Sequence, residues 1–169
     1  KRLQLVKNFV RSHSIDMTQK PEDAPEWFSL VPNVFGRATP IEERERGKAA
    51  VAPDGVYCAG PFKLESDEAL VVEGKMPNCT FANLVLWNRF LQTLDYAHRT
   101  VSLNRKQMKI EEDGSYRIVL SPKRPPGEVN WIDTEGRNQG TMFWRFFLVE
   151  ENVATPSAKV VKMDELFQV

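Results

Sequence analysis

TMFWRFFLV, residues 141–149, is the stretch on which the fold turns. Side chains of a strand alternate between two faces, so Met142, Trp144, Phe146 and Leu148 share one face, and Thr141, Phe143, Arg145, Phe147 and Val149 share the other. Both faces are largely apolar, which predicts a strand covered on both sides and therefore central in its sheet. Arg145 is then the anomaly, because a guanidinium inside such a strand is costly unless acceptors satisfy it. Asp95, Asp133 and Glu135 are its candidate partners, in a structural clamp on the loop of the 130s. Alternatively its fork faces a cleft and holds a ligand anion. The clamp is preferred, since no other residue nearby signals an anion site.

Outward from this strand, short extended runs alternate with turns. Val56–Ala59 is followed by Gly60-Pro61, Leu70–Val72 by Gly74, and Thr80–Trp87 by a polar pair. Residues 107–111 and 115–120 flank Asp113-Gly114, the dipeptide of a tight hairpin. Residues 127–140 read as a turn-rich loop. Ala158–Met163 interleaves Lys159 and Lys162, the pattern of an edge strand. Strands in this number, with no long helix between them, predict a mainly β fold, an antiparallel β-sandwich.

The first third of the chain differs. Leu5, Val6, Phe9 and Val10 recur at helical spacing within residues 1–13, and this short amphipathic helix is expected to pack on protein and not on a membrane. Residues 14–26, with two prolines, read as a connecting loop, and Trp27, Phe28 and Leu30 as a small apolar knot. Thr39-Pro40-Ile41-Glu42 has the form of a capping box and predicts a second helix over about 40–50, whose charged run 42–46 is a solvated face. The domain division is thus 1–39 for the N-terminal helix and connecting segment, and 40–169 for the sandwich. The chain begins at Lys1 without a methionine and is expected to follow an upstream region or a removed leader.

Several function classes are set aside by composition. Lys plus Arg equals Asp plus Glu, 23 each, so no global field attracts nucleic acid or an acidic membrane. No apolar run is long enough for a membrane span, and no signal peptide opens the chain. The compartment is open, with the cytoplasm favoured. Cys58 and Cys79 are expected to be two buried thiols and not a bridge. With only His13 and His98 and no paired cysteine motif, neither a metal site nor a cofactor is predicted. A Gly-x-Ser-x-Gly elbow and a phosphate-cradling glycine loop are both absent from the sequence.

What remains is aromatic and amide chemistry. Trp87, Asn88, Tyr96, Asn104, Asn130, Trp131 and Arg145 are the candidate ligand-binding residues. Indole faces pack on apolar ring surfaces and amides take paired hydroxyls, so a small polar ligand such as a carbohydrate suits them. Equally, tight loops use asparagine and sheets use tryptophan for structural reasons alone.

These residues also carry a resemblance. The segments DEALVVEGKMPNCTFANLVLWNRFLQTLDY (67–96), VSLN (101–104), the Asp-Gly turn, NWIDTEGRNQGTMFWRF (130–146) and AKVVKMDEL (158–166) follow one another in a series that resembles the domain-of-unknown-function 1214 family over about residues 48–166. The resemblance implies a jelly-roll-like antiparallel sandwich at the C-terminal end of longer bacterial proteins. It implies no catalytic residue, and Trp87, Asn88, Asn104, Asn130, Trp131 and Arg145 transfer only as signature positions. Cys79 and Phe81 depart from the aromatic character expected in their segment, so a pocket there would differ in shape.

The reading preferred from the sequence is a noncatalytic module that binds a small polar ligand or docks a neighbouring domain. Its rivals are a hydrolase using Arg145 with Asp133 or His98, and a structural or oligomerising domain.

Overall fold

The computed structural model describes residues 2–11, 25–45 and 54–167. Among these residues, eight strands form two four-stranded sheets. One has the order β1 (Gly55–Lys63), β7 (Gln139–Val149), β3 (Cys79–Trp87), β4 (Ser102–Asn104). The other has the order β6 (Asn130–Asp133), β5 (Ser115–Ser121), β2 (Glu68–Lys75), β8 (Ser157–Lys162). Neighbouring strands are antiparallel except β5 and β6, which run parallel. The chain is a β-sandwich, as the strand pattern predicts.

The TMFWRFFLV strand is central, paired with β1 along one edge and β3 along the other. Met142, Trp144 and Phe146 point between the sheets, where they meet Leu70, Leu84, Ile118 and Ile132 in the main core. Trp144 stacks on Phe146 at 4.9 Å and tilts against Tyr116 at 5.2 Å. The expected alternation fails at the strand's end. Leu148 has a φ of 51° and is 56% exposed, and Val149 turns to the core in its place. A left-handed residue rotates the chain about its axis, which exchanges the faces beyond it.

Two other expectations are corrected. Asp113-Gly114 does turn, with Gly114 at φ 85°, but residues 107–111 form no strand and there is no hairpin between the flanking runs. Glu111 N still reaches Ser115 O at 2.9 Å, but from Ile118 onward that edge of β5 is taken by β6 and the other edge by β2. Lys109 is instead held by the side chain of Asn130, whose Oδ1 accepts from Lys109 N at 2.7 Å and whose Nδ2 donates to Lys109 O at 2.8 Å. The second correction concerns Asn130–Asp133, placed by the sequence in a turn-rich loop. It is the strand β6.

Helix α1 (Arg2–Arg11) matches the first predicted helix, with Leu3, Leu5 and Val6 exposed. Helix α2 is described over Ile41–Glu45, and the rest of the predicted 40–50 helix lies outside the described residues. So does most of the predicted 14–26 loop, whose described part is residues 25 and 26. The N–H of Ile41 is taken by Asn152 Oδ1 at 3.0 Å, a partner far along the chain. β8 is an edge strand and leads into α3 (Met163–Phe167). Both cysteines are free and buried. Burial pushes the Cys58 thiol up to about 12.

Residues 25–37 position the candidate site. They run along the open edge of β1: Ala59 N donates to Trp27 O, Ser29 N and Gly36 N donate to Ala59 O, and Asn33 N donates to Pro61 O. Asn33 adds a side-chain pair with the backbone of Lys63, at 2.8 and 2.9 Å. Pro61 shares the parity of Ala59, so its missing N–H falls on this irregular edge and leaves the β1–β7 ladder intact. Gly60 is required for the close approach, since a Cβ there would lie 2.1 Å from Val34 O.

Candidate functional site

The outer face of the β1–β7–β3 sheet carries its own aromatic layer. Ala59, Val85 and Phe143 are buried there beneath Trp27, Phe28, Tyr57 and Trp87. Phe143 is the hub, with Trp87 at 4.6 Å, Tyr57 at 5.5 Å and Trp27 at 5.7 Å between ring centroids. Because β1, β7 and β3 are in register, Pro61, Thr141 and Trp87 align in the next row. Residues 25–32 arch over this row and leave a cavity of about 370 Å³. Trp27, Phe28, Leu30, Trp87 and Phe143 supply its apolar walls, and Lys63, Arg89, Gln139 and Thr141 its polar groups. The volume lies within the range of small-ligand sites.

Arg145 is placed on this outer face, half-buried, in register with Tyr57 and Asn83. Its guanidinium lies over the Trp87 ring at 5.4 Å and the Phe143 ring at 5.2 Å. Among the described residues no carboxylate pairs with it. The expected Arg145 clamp is therefore not formed, and the carboxylates offered for it are held by other cations. Arg99 Nη1 donates to the buried Asp133 Oδ2 at 2.8 Å, Glu135 N donates to Asp133 Oδ1 at 2.7 Å, and Arg137 pairs with Glu135. Arg145 instead satisfies its charge against ring faces, whose quadrupole attracts a cation without a counter-charge.

The asparagines of the predicted set serve the backbone. Asn88 Oδ1 accepts from Phe90 N and Gln92 N, and closes the turn after β3. Asn104 Oδ1 accepts from Lys106 N and Gln107 N after β4. Asn130 fastens Lys109, as described above. Trp131 lies on the far side of the sandwich, packed with Ala69, Val119 and Met163, and its Nε1 donates to Ser121 Oγ at 3.0 Å. Tyr96 is 77% exposed in the loop before β4. The fold therefore brings Trp87 and Arg145 together and leaves Asn88, Tyr96, Asn104, Asn130 and Trp131 outside the cavity lining.

Trp27, Phe28, Lys63, Arg89, Thr141 and Phe143 enter the site without having been singled out for it. Phe143 and Thr141 were legible as the second face of the central strand. Trp27 and Phe28 had only their apolar character, with nothing in the sequence to say which surface they cover.

His98 is exposed, and its Nδ1 is 3.0 Å from both oxygens of Asp95. This hydrogen bond holds the Asp95 carboxyl below the usual carboxylate range. Among the described residues no group of three or more His, Cys, Asp and Glu side chains is arranged for a metal ion. Nor is any helix among them long and apolar enough to cross a membrane.

No protein-family model matches the chain, and no curated protein does. Among the solved structures similar to this chain are these two. One is an uncharacterized protein from Burkholderia cenocepacia, with a TM-score of 0.66 and 30% identity over 77% of this chain and 36% of that one. The other is the VPA0106 protein from Vibrio parahaemolyticus, with a TM-score of 0.53 and 22% identity over 72% of this chain and 34% of that one. The second likeness is one of fold alone. The chain spans about a third of the length of each.

Proposed function

We propose that this chain is a noncatalytic β-sandwich module that binds a small ligand in the cavity between residues 25–32 and the outer face of β1, β7 and β3. The observation that carries the reading is the enclosure itself: Trp27, Trp87 and Phe143 surround about 370 Å³ beside a few polar groups. A planar or aliphatic apolar body would displace water from these ring surfaces on binding. A sugar fits less well, because the amides that would take its hydroxyls, Asn88, Asn104 and Asn130, are engaged with backbone. The described lining contains no serine, cysteine, histidine or carboxylate to act as nucleophile or base, which favours a binder over a hydrolase. Asp133 and His98, the partners a hydrolase around Arg145 would need, are paired with Arg99 and Asp95.

The order of signature positions supports a further part of the proposal, that the chain is a member of the domain-of-unknown-function 1214 family. The binding reading is tested by titrating the protein with the neutral fluorophore N-phenyl-1-naphthylamine. Saturable binding near one equivalent is expected. Gln139→Trp, which introduces an indole at an exposed position of the rim, should weaken it at least about tenfold while the melting temperature holds. An unchanged titration in that variant puts the probe elsewhere and ends the proposal.

A further inference from the structure

We infer that the ligand of this cavity is a neutral molecule with an apolar body and an oxygen function, a hydroxyl or a carbonyl, hydrogen-bonded by Thr141 at the cavity floor. The inference rests on the binding reading above and adds the ligand's chemistry. Thr141 belongs to the outer face of β7, between Pro61 and Trp87 in its row, and lines the cavity. It is 6% exposed, so its hydroxyl is almost wholly withdrawn from bulk water. Buried hydroxyls are normally hydrogen-bonded, because one left bare forfeits its hydration.

Other buried polar side chains show the contrast. Ser121 Oγ donates to Lys123 O, and Asp133 accepts from Arg99. Thr134 Oγ1 has no partner and is enclosed by protein. Thr141 Oγ1 follows neither pattern: among the described residues nothing bonds to it, and it is not enclosed. The accessible part of the residue belongs to the cavity lining, so a bound molecule is what can answer this hydroxyl.

The remaining polar groups of the lining do not select a charge. Arg89 has an interaction of its own, and Lys63 is an exposed side chain two residues from Glu65. Gln139 is exposed at the rim. At the base of the cavity stands one uncharged hydrogen-bonding group among ring surfaces, an arrangement in which the rings supply affinity and the polar atom fixes orientation. An ionised group placed at Thr141 would be withdrawn from water for a single hydrogen bond. A plain hydrocarbon would leave the hydroxyl bare.

The test displaces bound N-phenyl-1-naphthylamine from the full 169-residue chain with two naphthalenes of nearly the same shape, 2-naphthol and 2-methylnaphthalene, at neutral pH. Thr141→Val exchanges the hydroxyl for a methyl group. It should weaken 2-naphthol about fivefold and leave 2-methylnaphthalene unweakened. Its melting temperature should hold or rise, since no bond within the protein is lost. Thr141→Ser keeps the hydroxyl and should hold 2-naphthol within about twofold. The inference is overturned if Thr141→Val treats the two naphthalenes alike, or if Thr141→Ser loses 2-naphthol as Thr141→Val does. A Thr141→Val protein that loses stability or does not fold also overturns it, because the hydroxyl then has a structural partner. In each of these cases the binding reading stands as long as N-phenyl-1-naphthylamine binds the native chain and is weakened by Gln139→Trp. If neither that probe nor the naphthalenes bind, both fall.

Discussion

The two outer faces of the sandwich use the same residue types to opposite ends. On the β6–β5–β2–β8 sheet, Trp131 packs with Ala69, Val119 and Met163, Val161 and Leu166 close around it, and its indole N–H is bonded to Ser121. That face is finished by its own chain, with α3 as the lid. On the β1–β7–β3–β4 sheet, Trp27, Trp87 and Phe143 also pack together, but the covering segment is an irregular loop that arches and leaves a cavity. Indole surface by itself therefore does not mark a site. What distinguishes the second face is the space beside it.

Substitutions should separate the two faces in a definite order of stability. Trp131→Ala removes a largely covered ring from a closed cluster and should cost about 3 kcal/mol, read as a lower urea midpoint, with probe binding unaffected. Trp87→Ala, by contrast, should abolish probe binding. If Trp131→Ala were the variant that lost the probe, the assignment of the two faces would be reversed. Asp133→Ala removes the buried carboxylate that Arg99 and Glu135 N share, and should cost about 2 kcal/mol. Arg145→Ala loses the contacts with the Trp87 and Phe143 rings and should cost about 1 kcal/mol. A cost for Arg145→Ala well above that for Asp133→Ala would restore Arg145 as the structural clamp.

A smaller effect is expected in acid. The Lys162 hydrogen bond holds Asp67 below the usual carboxylate range, so the folded chain releases this proton more readily than the unfolded one. The stabilisation is present above the ordinary carboxylate pKa and lost as pH falls through the depressed one. Asp67→Asn should therefore shallow the acid limb of the stability profile at low salt and leave binding of the neutral probe unchanged. Identical acid limbs for the two proteins would remove this pair from the ledger of acid sensitivity.

Cys58 offers a control on the core between the faces. Its thiol, pushed up to about 12 by burial, should resist alkylation by iodoacetamide at pH 8 in the folded protein and react once the chain is unfolded in urea.

Much of the frame was legible along the chain because strand periodicity is local. Thr141, Phe143 and Arg145 could be assigned to one face of a central strand from spacing alone, and Lys159 and Lys162 marked an edge. The places where that reading failed are places where a remote partner decides. Residues 107–111 look like half of a hairpin, but past Glu111 the chain leaves β5, with Lys109 held by Asn130 and β6 occupying that edge from Ile118 onward. Asn88, Asn104 and Asn130 have the chemistry of a binding set, and only their backbone partners show them to be turn and loop fasteners.

Arg145 gathers both lessons. Its own stretch of sequence determined that a cation would stand in a two-sided apolar strand at the middle of a sheet, since alternation and hydropathy are properties of neighbours. Which group would answer that charge was decided only in three dimensions, where β3 carries Trp87 alongside it, while Asp133, the carboxylate the sequence offered, is held by Arg99. Ion pairs and ring contacts depend on distances through space, and positions 87 and 145 become neighbours only when β3 and β7 pair in register.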